Sequence, residues 1–255
     1  MAVVTLCSAA GSPGVSSTVI GLALAWTRPC VLLEADPTGS SAMLTGYMHQ
    51  YAPTGVVSVF DLAVRYRQTG TILPLMDVTT LVPNTQIRLL SGPRTPAHAV
   101  AAADVWHPLM AELHQLHKAG IDVIIDLGRL CMAASPAPVL EGSDLVLLVT
   151  RSTLPALVPA RHGADQLADA GSGRAGLLLI GPGHPYSASD VAKQLKLPVI
   201  TTLPDDPTTA EVFHLGAKPG SRFNRSPLYR ALPPAVSAIQ TQLDVTHSIL
   251  LGDQT

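Results

Sequence analysis

A loop rich in glycine and serine occupies residues 8–19, "SAAGSPGVSSTV". It follows the apolar run "AVVTLC", residues 2–7, and precedes "IGLALAW", residues 20–26. Two apolar runs around a loop of glycine and serine predict a strand, a turn and a helix. Backbone N–H groups at the start of such a helix attract anions, so the layout is typical of a phosphate site. Loops of this kind normally hold the phosphate with a lysine, and this loop has none.

The rest of the chain continues the alternation of strand and helix. Continuous apolar runs at residues 30–36, 121–128, 144–150 and 176–181 predict buried strands, with helical segments between them. Hydrophobic residues make up 47% of the 255 residues and charged residues only 13%, which is typical of a parallel sheet covered on both faces. We predict a single α/β unit with a doubly wound, mostly parallel sheet and helices on both faces. Residues 101–120 are predicted to form one of these helices.

Composition excludes several classes of protein. A formal net charge of −2 offers no global reason for nucleic-acid binding. Cys7, Cys30 and Cys131 are spaced wrongly for a zinc site, and their odd number suits reduced, buried thiols. No basic segment precedes the first strand, and no apolar run is long enough to span a bilayer. We therefore expect a cytoplasmic protein.

Acidic residues follow two of the predicted strands. Asp36 ends the run "CVLLEAD", and Asp126 ends "DVIID". Ligands of open α/β sheets bind at the carboxyl ends of the strands, where both acids would lie beside the glycine loop. An apolar strand that ends in aspartate next to a phosphate loop commonly positions Mg²⁺ or its water. The hydroxyls of residues 16–18 provide a further oxygen for such an ion.

With these features in order, the sequence resembles the ParA/MinD family of P-loop ATPases. The family loop runs Gly-Lys-Gly-Gly-x-Gly-Lys-Thr, and "GSPGVSST" matches it at Gly11, Gly14 and Thr18. "CVLLEADPTGSS" resembles the family's second strand, and "DVIIDLG" resembles its Mg²⁺-side strand. "LPVITTLPDDPTTAEVFHLGAKPG" resembles the late strand and the loop that borders the nucleotide base. The likeness covers residues 1–220 in order.

The resemblance implies a P-loop NTPase-like fold and a site for ATP or ADP with Mg²⁺. It implies Asp36 and Asp126 as catalytic residues, and Thr18 and Asp126 as ligands of the metal. The residues that it places on the nucleotide are Gly11, Ser12, Gly14, Val15, Ser16, Ser17, Thr18, Pro204 and Asp206.

The departures from the family pattern fall at the positions that bind phosphate in the family. Ser12 and Ser17 stand at the two lysine positions, Pro13 and Ser16 stand at glycine positions, and the chain's four lysines begin at Lys118. A charge-assisted hydrogen bond contributes about 1.5–3 kcal/mol, so each lost lysine weakens binding roughly 10- to 150-fold. The resemblance therefore predicts a degenerate site in a pseudo-ATPase. Such a protein would act through a protein partner in partition, polar or septal positioning, or secretion or pilus assembly, and would form a homodimer through the Gly11–Thr18 face.

Three alternatives remain open. In the first, the protein is a slow Mg-ATPase in which Arg129, Arg151 or an arginine of a partner replaces the lysine. In the second, it is a partition factor that binds DNA without sequence preference. The arginines of that surface would be Arg222, Arg225 and Arg230. In the third, Ser16 or Ser17 is a nucleophile, although "GVSST" lacks the second glycine of the nucleophile elbow.

The C-terminal segment is predicted to be separate from the nucleotide-binding fold. We divide the chain into residues 1–233, which carry the ParA/MinD-like fold, and a helical tail at 234–255. Val236, Ile239 and Leu243 recur at helical spacing in this tail. No lysine or arginine follows Arg230, so a basic membrane-binding helix is not expected. A docked helix or a contact with a partner fits the pattern better.

Overall fold

The computed structural model describes residues 2–9, 13–51, 53–170 and 174–252. It contains one eight-stranded sheet in the order β3-β4-β2-β5-β1-β6-β7-β8. Neighbouring strands are parallel except for β3 and β4. The strands are β1 (Val3–Ser8), β2 (Cys30–Glu34), β3 (Thr80–Leu81), β4 (Ile87–Leu90), β5 (Asp122–Arg129), β6 (Leu145–Arg151), β7 (Ala175–Ile180) and β8 (Val199–Leu203). The predicted fold class is confirmed.

Helices cover both faces of the sheet and enclose two apolar cores. Helices α1, α9 and α10 pack on one face, and α2, α5, α7 and α8 pack on the other. The helices are α1 (Val15–Ala25), α2 (Val59–Thr69), α3 (Leu75–Val78), α4 (Pro96–Ala101), α5 (Trp106–Lys118), α6 (Ala137–Glu141), α7 (Leu154–Ala170), α8 (Ala188–Leu195), α9 (Pro207–His214) and α10 (Pro227–Gly252). A π-helical turn (Met43–Tyr47) lies between β2 and α2.

We predicted one helix over residues 101–120, and this prediction is wrong. Helix α4 ends at Ala101, a 3₁₀ turn occupies Ala103–Val105, and α5 begins at Trp106. The reason is Pro108, which lacks an N–H and clashes with the carbonyl four residues earlier inside a helix, but is tolerated in a first turn. The apolar face predicted for the remainder is present, because Leu109 and Leu113 are fully buried.

The C-terminal segment forms part of helix α10, which begins at Pro227. Val236, Ile239 and Leu243 are buried in the core that α10 shares with α1 and β8. The apolar stripe of the tail is therefore docked on its own chain. The proposed division after residue 233 falls inside this helix and stays a prediction. Within the residues that the structure describes, no helix is long and apolar enough to cross a membrane.

One buried carboxylate ties together the amino ends of β1 and β5. Asp122, the first residue of β5, accepts the Ala2 N–H at 2.9 Å and the Trp26 indole N–H at 2.7 Å. Arg28 lies 2.8 Å from the same carboxylate. Trp26 caps the C-terminus of α1, so Asp122 fastens that helix to the sheet at the edge opposite the glycine loop.

Candidate functional site

A cleft of about 760 Å³ opens at the carboxyl ends of the central strands. Its walls are the first turn of α1, the loop from Asp36 to the π-helical turn, the segment after Asp126 and the face of α9. A smaller cavity of about 60 Å³ adjoins it at residues 204–207. The fold thus brings together the glycine loop, the ends of the strands that carry Asp36 and Asp126, and the loop at residues 204–207, as the sequence predicts.

The glycine loop leads directly into helix α1. Gly11 and Ser12 lie outside the described residues. Gly14 is the N-cap, with a φ of 104° in the left-handed region, which glycine adopts without steric cost. Its carbonyl accepts the Thr18 N–H at 2.9 Å, and Val15 opens the helix. The first N–H groups of a helix have no intrahelical partner, so this turn presents donors to an anion.

Asp126 is the buried carboxylate of the site, only 4% exposed. It accepts a hydrogen bond from the Ser16 hydroxyl, and its Oδ1 accepts the Gly128 N–H at 3.0 Å. Burial raises the pKa of Asp126 to about 6, because the charged form is poorly solvated there, and the charge of Asp36 adds to the rise. The two hydrogen bonds act in the opposite direction. The ionised carboxylate of Asp126 is therefore poorly solvated, and a bound cation would stabilise it.

Asp36 approaches the same point from β2. Its Oδ1 accepts the Thr38 N–H at 2.8 Å, which fixes the carboxylate at the start of the loop. Its Oδ2 lies where a side chain of Gly128 would have to be, since a β-carbon at Gly128 would come within 2.2 Å of it. Gly128 itself has a φ of 68°. The two acids predicted from the strand ends therefore converge beside the first turn of α1.

These oxygens fit a hard divalent ion. Carboxylates and hydroxyls are the ligands that Mg²⁺ prefers, and it commonly keeps several waters and uses only one or two carboxylates. The described residues contain no group of three or more histidine, cysteine or acidic side chains that could hold a metal alone. Thr18 is 5% exposed and lines the smaller cavity rather than the main cleft. Its role as a metal ligand with Asp126 stays a prediction.

Ser17, which the family resemblance aligns with the phosphate-loop lysine, faces a histidine. Its Oγ lies 3.1 Å from Nδ1 of His214, the last residue of α9. The same Nδ1 lies 2.8 Å from the carbonyl oxygen of Ala210, which can only accept, so Nδ1 carries a proton. His214 therefore cannot take a proton from Ser17 through this nitrogen. The geometry does not support the alternative in which Ser17 is an activated nucleophile, and the Ser16 hydroxyl is engaged by Asp126.

The basic side chains of the cleft are few. Among the residues that the structure describes, no lysine lines it, whereas Arg129, Arg151 and His214 do. Arg151 is paired with the carboxylate of Asp205, which offsets much of its charge. Arg129 is exposed at the end of β5. The cleft wall therefore contains the arginines that the slow-ATPase alternative names, at the ends of β5 and β6.

The late loop is held in place by its own acid. Asp206 is the N-cap of α9, accepting the Thr209 N–H at 3.1 Å and the Thr209 hydroxyl at 2.7 Å. Its second oxygen also lies 3.4 Å from the Leu228 N–H. Pro204 lines the smaller cavity. Contact of Pro204 and Asp206 with a nucleotide base stays a prediction, and the structural role of Asp206 is the helix cap.

Sequence reasoning missed His214, which lines the cleft, and Glu34, a buried carboxylate whose pKa the charge of Asp126 helps to raise. Glu34 ends β2 and is 3% exposed; its Oε1 accepts the Met43 N–H at 2.9 Å, and its Oε2 lies 3.4 Å from the Gly92 N–H. Burial raises the pKa of Glu34 to about 7. A charged residue within an otherwise apolar strand was the available signal for Glu34, and no local signal marked His214.

The arginines of the DNA-binding alternative lie on the surface, away from the cleft. Arg222, Arg225 and Arg230 are exposed. Of the two aromatic residues among them, Phe223 packs inward, with its ring 5.9 Å from that of Phe213 and 4.9 Å from that of Tyr229, whereas Tyr229 is 38% exposed. Phe223 therefore serves packing and does not offer a free face for base stacking.

No family model and no curated protein matches the sequence. Solved structures match its fold over nearly the whole chain. A ParA family ATPase from Chlorobium tepidum is 17% identical, with a TM-score of 0.71, 92% of this chain covered and 98% of that one. The septum site-determining protein MinD of Pyrococcus horikoshii, complexed with Mg-ADP, is 16% identical, with a TM-score of 0.75 and coverages of 96% and 98%.

The MinC:MinD cell division complex of Aquifex aeolicus also matches, at 12% identity and a TM-score of 0.71, with 94% and 96% covered. This chain has the fold of the ParA and MinD ATPases. Coverage above nine-tenths on both sides means that the shared architecture extends from β1 to α10. At identities of 12–17% the likeness shows the fold, and activity has to be argued from the residues of the cleft.

Proposed function

We propose that this chain is a ParA/MinD-like positioning or regulatory protein with a weak Mg-nucleotide site, acting through a protein partner. One observation carries the proposal. The acids Asp36 and Asp126 converge beside the start of α1, while the lysine position is occupied by Ser17, which faces His214. In this proposal the carboxylates that would bind Mg²⁺ are present, and the lysines that would bind phosphate are replaced by serines.

Magnitudes support weak binding over tight binding. Loss of one charge-assisted hydrogen bond costs about 1.5–3 kcal/mol, which is roughly 10- to 150-fold in affinity, and two lysine positions are changed. Hydrolysis suffers more than binding, because charge that develops in the transition state needs fixed cationic groups around it. A protein of this kind uses its fold as a scaffold, with nucleotide as a modest stabiliser of one conformation.

An exposed apolar pair supports a protein contact near the cleft. Leu154 and Val158 lie one turn apart on α7 and are 58% and 60% exposed. Helix α7 begins just after Arg151, which lines the cleft, so this pair adjoins the mouth of the site. MinD, which shares the fold, is found in complex with MinC. We include in the proposal a homodimer through the Gly11–Thr18 face, with α7 at its border.

Isothermal titration with ATP and ADP, with and without Mg²⁺, tests the nucleotide half. We expect affinities near the millimolar range and no turnover above a protein-free blank. Submicromolar binding with sustained phosphate release would overturn the weak site. It would favour the slow or full Mg-ATPase instead, and the rate should then collapse in Asp36→Ala and Asp126→Ala.

Capture from extracts of the native host tests the partner half. The full chain serves as bait beside a Leu154→Asp/Val158→Asp variant. Val100→Asp is the matched control, because Val100 is 63% exposed on α4, outside the lining of the cleft. We expect a partner that is retained by the wild type and by the control and lost from the α7 variant. Equal recovery by all three would remove α7 from the proposal.

A further inference from the structure

His214 is held rigidly at the edge of the cleft. On one side its ring meets Ser17 of α1 at 3.1 Å. On the other side its backbone packs against the π-helical turn, so closely that a β-carbon at Gly46 would come 2.4 Å from the His214 carbonyl oxygen. Packing therefore fixes the backbone of His214, and the contacts of Nδ1 with Ser17 and Ala210 fix its ring.

The hydrogen bonds of the ring determine which nitrogen can titrate. Nδ1 donates to Ala210 O at 2.8 Å, so the proton on Nδ1 is present in both charge states. The proton gained on ionisation goes to Nε2, and no hydrogen bond to Nε2 is found in the described part of the chain. Neutral His214 presents a lone pair at Nε2, which repels an anion. The imidazolium presents an N–H donor with a positive charge.

We infer that the His214 imidazolium is the phosphate-binding cation of this site, replacing the lysine absent at Ser17. Anion binding is then linked to the uptake of one proton at Nε2. The inference rests on the proposed nucleotide site and assigns the residue that holds its phosphates. It differs from the arginine alternative, since Arg151 is already paired with Asp205 and Arg129 lies out at the exposed end of β5.

Other charges in the cleft wall act on the same imidazole. Helix α1 and the π-helical turn, which pack against His214, carry no charged side chain. The acidic Asp36 and Glu211 and the basic Arg129 and Arg151 line the same cleft as His214.

Asp126 complicates a simple pH profile. Burial raises the pKa of Asp126 to about 6, so its carboxylate becomes negatively charged as the pH rises past that value. This charge also weakens anion binding, independently of His214. Two choices separate the effects. Chelation of Mg²⁺ removes metal binding by Asp126, and a variant of His214 alone leaves the contribution of Asp126 in place.

The test measures the affinity of pyrophosphate in EDTA by calorimetry at pH 5.5 and pH 8. We expect the wild type to bind at least about tenfold more tightly at pH 5.5. His214→Gln should lose most of the advantage at low pH, and His214→Lys should bind at pH 8 as the wild type does at pH 5.5. His107→Gln, on exposed α5 surface outside the cleft lining, is the matched control and should keep the wild-type profile.

The outcomes separate the two proposals. A wild-type pH profile in His214→Gln overturns the role of His214 and leaves the nucleotide site standing. Absence of pyrophosphate binding by the wild type at both pH values overturns both. Loss in His214→Gln together with recovery in His214→Lys cannot come from misfolding, so that pair supports the inference directly.

Discussion

Gly128 and Asp36 occupy neighbouring volumes that leave no space between them. A β-carbon on Gly128 would lie 2.2 Å from Oδ2 of Asp36 and 2.8 Å from its β-carbon. Gly128 also donates its N–H to Asp126 at 3.0 Å. One glycine therefore sets the positions of both acids of the site, through the space it leaves and the hydrogen bond it makes.

Substitution of Gly128 by alanine should both destabilise the fold and displace Asp36. Alanine at φ 68° costs about 1–2 kcal/mol in backbone strain, and the overlap with Asp36 adds about 1–3 kcal/mol. Urea unfolding measures the sum. Gly70→Ala is the control, because Gly70 has a φ of 71° with open space at its β-carbon. Equal losses in the two variants would contradict the close packing of Gly128 and Asp36.

Restoring the missing ammonium should strengthen nucleotide binding. Ser17→Lys places a lysine at the first turn of α1, and we expect ATP affinity to rise roughly 10- to 150-fold. Ser40→Lys adds the same charge to the cleft wall away from the loop, and its effect should be smaller. Calorimetry with Mg-ATP compares them. If both variants gain equally, the cleft responds to net charge and not to a phosphate-loop position.

Stability should fall as the pH rises from about 4 to about 7. Burial raises the pKa of Asp126 to about 6 and that of Glu34 to about 7, so the folded chain binds more protons than the unfolded chain in this interval. A raised carboxyl pKa favours the fold at low pH, and that advantage is lost as the carboxyl ionises. For Asp126 the full difference is on the order of 3 kcal/mol.

Melting temperatures from pH 5 to pH 8 test this slope. Asp126→Asn should raise the melting temperature at pH 8 and flatten the profile, since it removes a buried charge. Asp77→Asn, at an exposed position, should leave the profile unchanged. A melting temperature that rises with pH in the wild type would show that both carboxyls are better stabilised as anions than their burial indicates.

DNA binding should be weak and confined to low salt. Three exposed arginines release few counterions, so retention on a DNA column should end well below physiological ionic strength. A variant with alanine at residues 222, 225 and 230 should not be retained at all. Retention of the wild type at physiological salt would revive the DNA-binding alternative, and retention of the variant would point to a different surface.

The sequence predicted the fold class and the meeting of the two acids of the site, and it did not predict the contact of Ser17 with His214. Asp36 and Asp126 end apolar strands, and parallel strands bring their carboxyl ends to one edge, so their meeting follows from topology. The contact of Ser17 with His214 joins residues 197 positions apart and depends on how α9 packs against α1. The base contact expected of Asp206 stays a prediction, and the capping of α9 by its oxygens is a feature that the structure adds.

The hydrogen bonds that Asp122 makes to Ala2 and Trp26 lie at the other end of β5 from the ligand cleft. Asp122 begins β5 and Arg129 ends it, so the fastening of α1 and the ligand cleft lie at opposite ends of one strand. Substitutions in the glycine loop therefore leave the bonds to Ala2 and Trp26 intact. Ligand affinity and fold stability can therefore vary independently, because the residues that determine them lie at opposite ends of one strand.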